Sequence, residues 1–131
     1  MTEKDLRELL EKAREARKNS YSPYSGFAVG AALLGKSGKI YSGCNVENGA
    51  YTPTCCAERV AVFSAVSEGE REFRGIAVVA DTRPCMPCGV CRQVLSEFCS
   101  QDFTVISETE DGEPQTHTLG ELFPGAFTLK K

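Results

Sequence analysis

Two short cysteine segments constrain this chain more than any other feature: Thr54-Cys-Cys-Ala-Glu-Arg59 and Pro84-Cys-Met-Pro-Cys-Gly-Val-Cys-Arg-Gln93. Each falls where a loop gives way to a helical pattern. A helix start exposes free N–H groups and the positive end of the helix dipole, and both favour the thiolate, the form of cysteine that binds metal. Cys88 and Cys91 share one face of a first helical turn and can grip one ion, with Cys56 arriving from the other helix start. A chain that uses all three must bring two helix N-termini together. Three thiolates on Zn²⁺ leave a fourth position open, the layout of a catalytic site; a fourth ligand such as Cys55 or Cys85 would close it and make it structural.

The chain has 7 cysteines, the others being Cys44 and Cys99. The odd count, and an N-terminus charged throughout, argue against a secreted disulfide scaffold. His117 is the only histidine, so a zinc site here is mostly or wholly thiolate.

Two Pro-Cys-x-x-Cys registers overlap, one from Pro84 and one from Pro87. Helix mechanics separates them. Proline is tolerated only outside a helix or in its first turn, and Val90, Val94, Leu95 and Phe98 give a helix starting just after Pro87. Cys88 then falls near the N-cap and Cys91 near the third helical position. Cys85 lies in the preceding loop, carried away from that face because Pro87 keeps Met86 extended. Glu58, two residues beyond Cys56, stands close to the metal without being an obvious ligand. A carboxylate there can take a proton from water and return it to a leaving group.

The apolar pattern supplies the frame. Residues 3–18 form an amphipathic helix with Leu6, Leu9, Leu10 and Ala13 on one stripe, started by a Thr2/Asp5 capping box. Strands over 27–34 and 39–46 make an antiparallel hairpin. A helix over 57–67 ends at Gly69, and Gly75–Ala80 is a strand buried on both faces. A helix over 89–99, strands near 103–107 and 115–118, and a helical turn over 119–123 complete the order. The β-α-β-α-β middle predicts parallel strands with right-handed crossovers. The expected fold is α/β: a three-layer α-β-α sandwich around a mixed five-stranded sheet, in a single domain over residues 1–131.

A net charge of −3 and a pI near 5.2 argue against a generic nucleic-acid binder. Nothing approaches the ~18 apolar residues of a membrane span. The expected location is cytoplasmic.

Taken together, Cys56-Ala-Glu58 and Pro87-Cys-Gly-Val-Cys91 resemble the zinc-dependent cytidine deaminase family. So do Pro23-Tyr-Ser-Gly-Phe27, Val29-Gly-Ala-Ala32, Gly43-Cys-Asn-Val-Glu-Asn48, Arg92-Gln93 and Pro124-Gly-Ala-Phe127, all in the family's order. The all-cysteine ligand set resembles its small homotetrameric branch. The resemblance implies one zinc per subunit on Cys56, Cys88 and Cys91, with Glu58 as the proton shuttle, also contacting N3 and the 4-amino group. It implies that the Ala57 backbone contacts the base, that Phe27 packs against it, and that Asn45 and Glu47 hold the ribose 3′-hydroxyl. Tyr51 and Phe127 are implied to reach a neighbouring subunit's site. Arg59 beside three thiolates would drain their excess charge. The implied reaction is hydrolytic deamination of cytidine and deoxycytidine in pyrimidine salvage, on a free nucleoside.

Overall fold

The Thr2/Asp5 capping box opens the first helix, α1 (Glu3–Arg17): the Asp5 amide donates to Thr2 Oγ1 at 3.2 Å and the Thr2 amide to Asp5 Oδ2 at 3.0 Å. The structure is a computed structural model and describes residues 1–129. After α1 come β1 (Val29–Gly35), β2 (Ile40–Cys44), α2 (Ala57–Ser67), β3 (Phe73–Ala80), α3 (Gly89–Phe98), β4 (Thr104–Glu108), β5 (Pro114–Thr118) and the short α4 (Leu119–Leu122). The sheet order is β2-β1-β3-β4-β5. Only β3 and β4 are parallel neighbours; the other pairs are antiparallel. β2, β3 and β4 nonetheless run in one direction, as the β-α-β-α-β order requires, with β1 inserted between β2 and β3.

Side-chain alternation divides the core between the two faces of this sheet. Ala32 and Leu34 of β1, Ala77 and Val79 of β3 and Ile106 of β4 meet Leu9, Leu10 and Ala13 of α1. On the other face Ala31, Leu33, Ile76, Val78 and Val105 meet Ala57, Ala61 and Ala65 of α2 and Leu95 of α3. The run Ile76–Val79 is buried throughout, as expected for a strand covered on both sides. The result is the three-layer sandwich.

Because β2 and β3 point the same way, the helices that follow them start at the same edge of the sheet. Sites in α/β sheets gather there, outside the carboxyl ends of the strands. Gly43 sets how closely α2 approaches. A Cβ there would lie 2.4 Å from the Ala57 carbonyl oxygen and 2.6 Å from the Ala61 nitrogen, distances no real contact shows.

The hairpin differs from the sequence reading at one end. β2 stops at Cys44 instead of running to Val46, because Asn45 substitutes its side chain for the ladder. Asn45 Oδ1 accepts from the Val29 amide at 3.0 Å, and Nδ2 donates to the Phe27 carbonyl at 2.7 Å. Val46 is thereby released to bridge Cys55, with N–H···O bonds of 2.9 Å in both directions. That bridge ties the segment carrying Asn45 and Glu47 to the residue before Cys56.

Candidate active site

Cys56 is the N-cap residue of α2 and Cys88 that of α3; Cys91 lies in the first turn of α3. Neither cap side chain bonds a backbone N–H of its own helix. The three sulfurs lie within 4.8 Å of one another, and Cys56 Sγ and Cys88 Sγ are 3.8 Å apart. Zn–S bonds of about 2.3 Å in tetrahedral geometry separate two sulfurs by about 3.8 Å. The donor set therefore fits zinc in softness, number and spacing. Cys55 and Cys85 stand outside this group, which leaves three ligands and an open fourth position.

The electrostatics prepare the site for a cation. Cys56 is lowered to about 5, first because the Cys91 thiol shares its proton with it, then because Arg59 and Cys88 donate to it. Cys91 moves upward for the same reason, with burial adding to the rise. Arg59 Nη2 lies 3.3 Å from Cys56 Sγ. Glu58 is 4% exposed, and burial in the first turn of α2 pushes its carboxyl up to about 7, with the Cys56 thiolate adding to the rise.

A cavity of about 260 Å³ has Cys56, Cys88, Asn45 and Glu47 in its wall. Phe27, Ala57 and Glu58 line it as well. Of the expected site residues, these seven share its wall. Cys91 is buried beneath, and Arg59 sits on the sulfur side. Glu47 accepts from the Tyr24 amide at 2.9 Å and the Ser25 amide at 3.1 Å, and also from the Ser25 hydroxyl. These bonds, Ser25's foremost, hold its carboxyl below the usual range. Asn45 and Glu47 are therefore fixed by the protein before any ligand arrives. Between them they retain one amide hydrogen and one acceptor site, enough for a sugar hydroxyl.

Two expected residues lie elsewhere. Tyr51, with φ +65°, stands in an outer hollow that shares Ser25, Glu47 and Thr54 with the cavity, edge-on to Tyr24 at 6.3 Å between ring centroids. Phe127 borders a separate hollow beside Ser96 and Cys99, its carbonyl accepting from Gln93 Nε2 at 3.1 Å. The cavity also has lining that the sequence reading did not assign: Val29, Cys55, Cys85 and Met86. Cys85 is outside the thiol cluster, as the helix start requires, yet it still faces the cavity, and burial holds it as a neutral thiol at about 11. Loop residues carry no periodicity, so the sequence held no signal of that orientation.

Two helix N-termini that bring three thiolates to an ion, with a buried carboxylate two residues from one ligand, define a metal-dependent hydrolytic enzyme. Residues 3–107 match the family model described as the cytidine and deoxycytidylate deaminase zinc-binding region, and the chain belongs to that family. It is 52% identical over 127 residues to the cytidine deaminase of Halalkalibacterium halodurans, covering 96% of each chain. It is 50% identical over 125 residues to that of Sporosarcina psychrophila, covering 95% of this chain and 92% of the relative. The crystal structure of cytidine deaminase from Burkholderia pseudomallei superposes with a TM-score of 0.88 at 45% identity, covering 97% of this chain and all of that one. The protein is a zinc-dependent deaminase, and no helix among its described residues is long and apolar enough to cross a membrane.

Proposed function

We propose that the enzyme converts cytidine and deoxycytidine to uridine and deoxyuridine with release of ammonia, as a step of pyrimidine salvage. The observation that carries this is Glu58, buried in the wall of a nucleoside-sized cavity beside the thiol cluster, with Asn45 and Glu47 at the far end. Cys56, Cys88 and Cys91 would hold the zinc, which would leave one position for water and lower its pKa toward neutrality. Glu58 takes the proton of the attacking water and passes it by way of N3 to the departing 4-amino group, a transfer suited to a carboxyl raised toward 7. The Ala57 backbone meets the base edge beside Glu58, and the Phe27 ring packs on the base. Asn45 and Glu47 take the ribose 3′-hydroxyl as donor and acceptor. Arg59 offsets the surplus charge of three thiolates.

The substrate is a free nucleoside, consistent with acidic groups at the cavity and a chain of net charge −3. The assembly is a homotetramer. Tyr51 and Phe127, 73% and 68% exposed, are the side chains offered to neighbouring copies. The whole chain acts as one catalytic domain, in the cytoplasm.

Incubation of the zinc-loaded protein with cytidine, deoxycytidine, cytosine and blasticidin S, followed by the fall in ultraviolet absorbance, tests the reading. Turnover of the two nucleosides is expected. Consumption of blasticidin S with cytidine untouched would overturn it. Sedimentation at assay concentration reads the assembly, and a fully active monomer would refute the tetramer.

A further inference from the structure

We propose that Cys85 and Met86 form the wall that meets the C5–C6 edge of the pyrimidine, and that Met86 sets how large a 5-substituent the enzyme accepts. The inference rests on the substrate reading above, with C4 at the thiol cluster and the sugar at Asn45 and Glu47.

The order of atoms in the ring carries the argument. With N1 directed to the sugar end and C4 to the thiols, two edges remain, one through C2 and N3 and one through C5 and C6. The N3 edge belongs to Glu58, which comes from α2. The thiol cluster straddles the seam between two helices, Cys56 from α2 and Cys88 and Cys91 from α3. The opposite edge is therefore met by the residues that arrive with α3. Of the cavity lining, the residues that lead into α3 are Cys85, Met86 and Cys88. Cys88 is committed to the cluster, so Cys85 and Met86 face C5 and C6.

Both are half-buried, uncharged and sulfur-bearing, a wall matched to the least polar edge of cytosine. The backbone behind them is fixed. Pro87 is buried, and Arg83 is held by Glu108 at 3.4 Å and by the Glu110 carbonyl at 3.3 Å. A group added at C5 would extend toward that wall, and Met86, with its flexible side chain, is the residue there able to yield.

The test is kcat/KM for cytidine and for 5-methylcytidine, measured on the zinc-loaded parent, Met86→Ala and Met86→Phe. The readout is the ratio of the second substrate to the first. One methyl group in an apolar pocket changes selectivity by roughly 10-fold or more. Met86→Ala should raise the ratio by about tenfold and Met86→Phe should lower it by about as much, and either variant is informative without the other. The deoxycytidine-to-cytidine ratio, read at the sugar end, should stay within about twofold, which a general loosening of the site would not allow. An unchanged 5-methyl ratio in variants that turn over cytidine overturns the proposal and leaves the substrate reading intact. A parent that deaminates no cytidine overturns that reading, and the proposal with it.

Discussion

Arg59 Nη2 donates to Cys56 Sγ at 3.3 Å, so a guanidinium is bound to the thiolate that caps the same helix. Its Nε is buried with no hydrogen-bond partner among the described residues. A buried donor is left unpaired only where something else compensates, and here the guanidinium serves the sulfurs. Three thiolates and Zn²⁺ carry a net charge of −1, which weakens the metal's pull on its water. Arg59→Ala should reduce zinc retention by about 10- to 100-fold, the usual cost of losing a partner of a metal ligand. Titration against a competing chelator measures it, and retention equal to the parent's would make Arg59 a bystander.

The role proposed for Glu58 separates metal binding from catalysis. It is no member of the sulfur cluster, yet it is buried beside it. Glu58→Gln keeps the shape and removes the proposed proton carrier. We expect stoichiometric zinc, an unchanged fold and a loss in kcat on the order of 100-fold or more. Metal analysis and steady-state rates on one preparation decide it, and near-parental turnover would end the assignment.

How much of this was legible beforehand depended on whether a residue belonged to a regular element. The helix starts were readable, at Ala57 from apolar spacing and at Gly89 from proline placement as well, and with them Cys56 at one start, Cys88 near the other's N-cap and Cys91 near its third position. The layers followed from the same periodicities, since Ala31 and Leu33 face one helix layer while Ala32 and Leu34 face the other. Asn45 was singled out as a sugar ligand, but not as the group that ends β2 and releases Val46 to Cys55. That role needs Phe27 and Val29 in place across the ladder. Met86 and Cys85 were hidden for a different reason. A loop side chain points where its loop is held, and the contacts that hold this loop, Arg83 to Glu108 and to the Glu110 carbonyl, are made with residues distant in sequence.

Gly43 links the sheet to the metal centre. Its missing side chain lets the first turn of α2 rest on β2. Gly43→Ala must push that turn outward, and Cys56 moves with it while Cys88 and Cys91 stay on α3. Overpacking of this kind costs about 1–3 kcal/mol. The variant should melt lower than the parent and also bind zinc more weakly. Thermal melts with and without zinc read both effects. A melting point unchanged in both conditions would show that α2 can retreat without strain.

The choice between the two Pro-Cys-x-x-Cys registers gives the sharpest test of the centre. Pro87 is buried just ahead of the α3 N-cap, which leaves Cys88 as that cap and Cys91 inside the first turn. Both residues then sit at a helix start, where free N–H groups and the dipole favour a thiolate. Cys85 lies three residues upstream in the loop, outside the cluster, and burial keeps it protonated to about 11. Cys88→Ser and Cys91→Ser should each lose zinc, because two sulfurs on separate helices no longer enclose the ion. Cys85→Ser should retain one zinc per chain. Metal stoichiometry after gel filtration of the three variants is sufficient. Loss of zinc from Cys85→Ser together with its retention in Cys91→Ser would move the ligand pair upstream and overturn the helix start placed after Pro87.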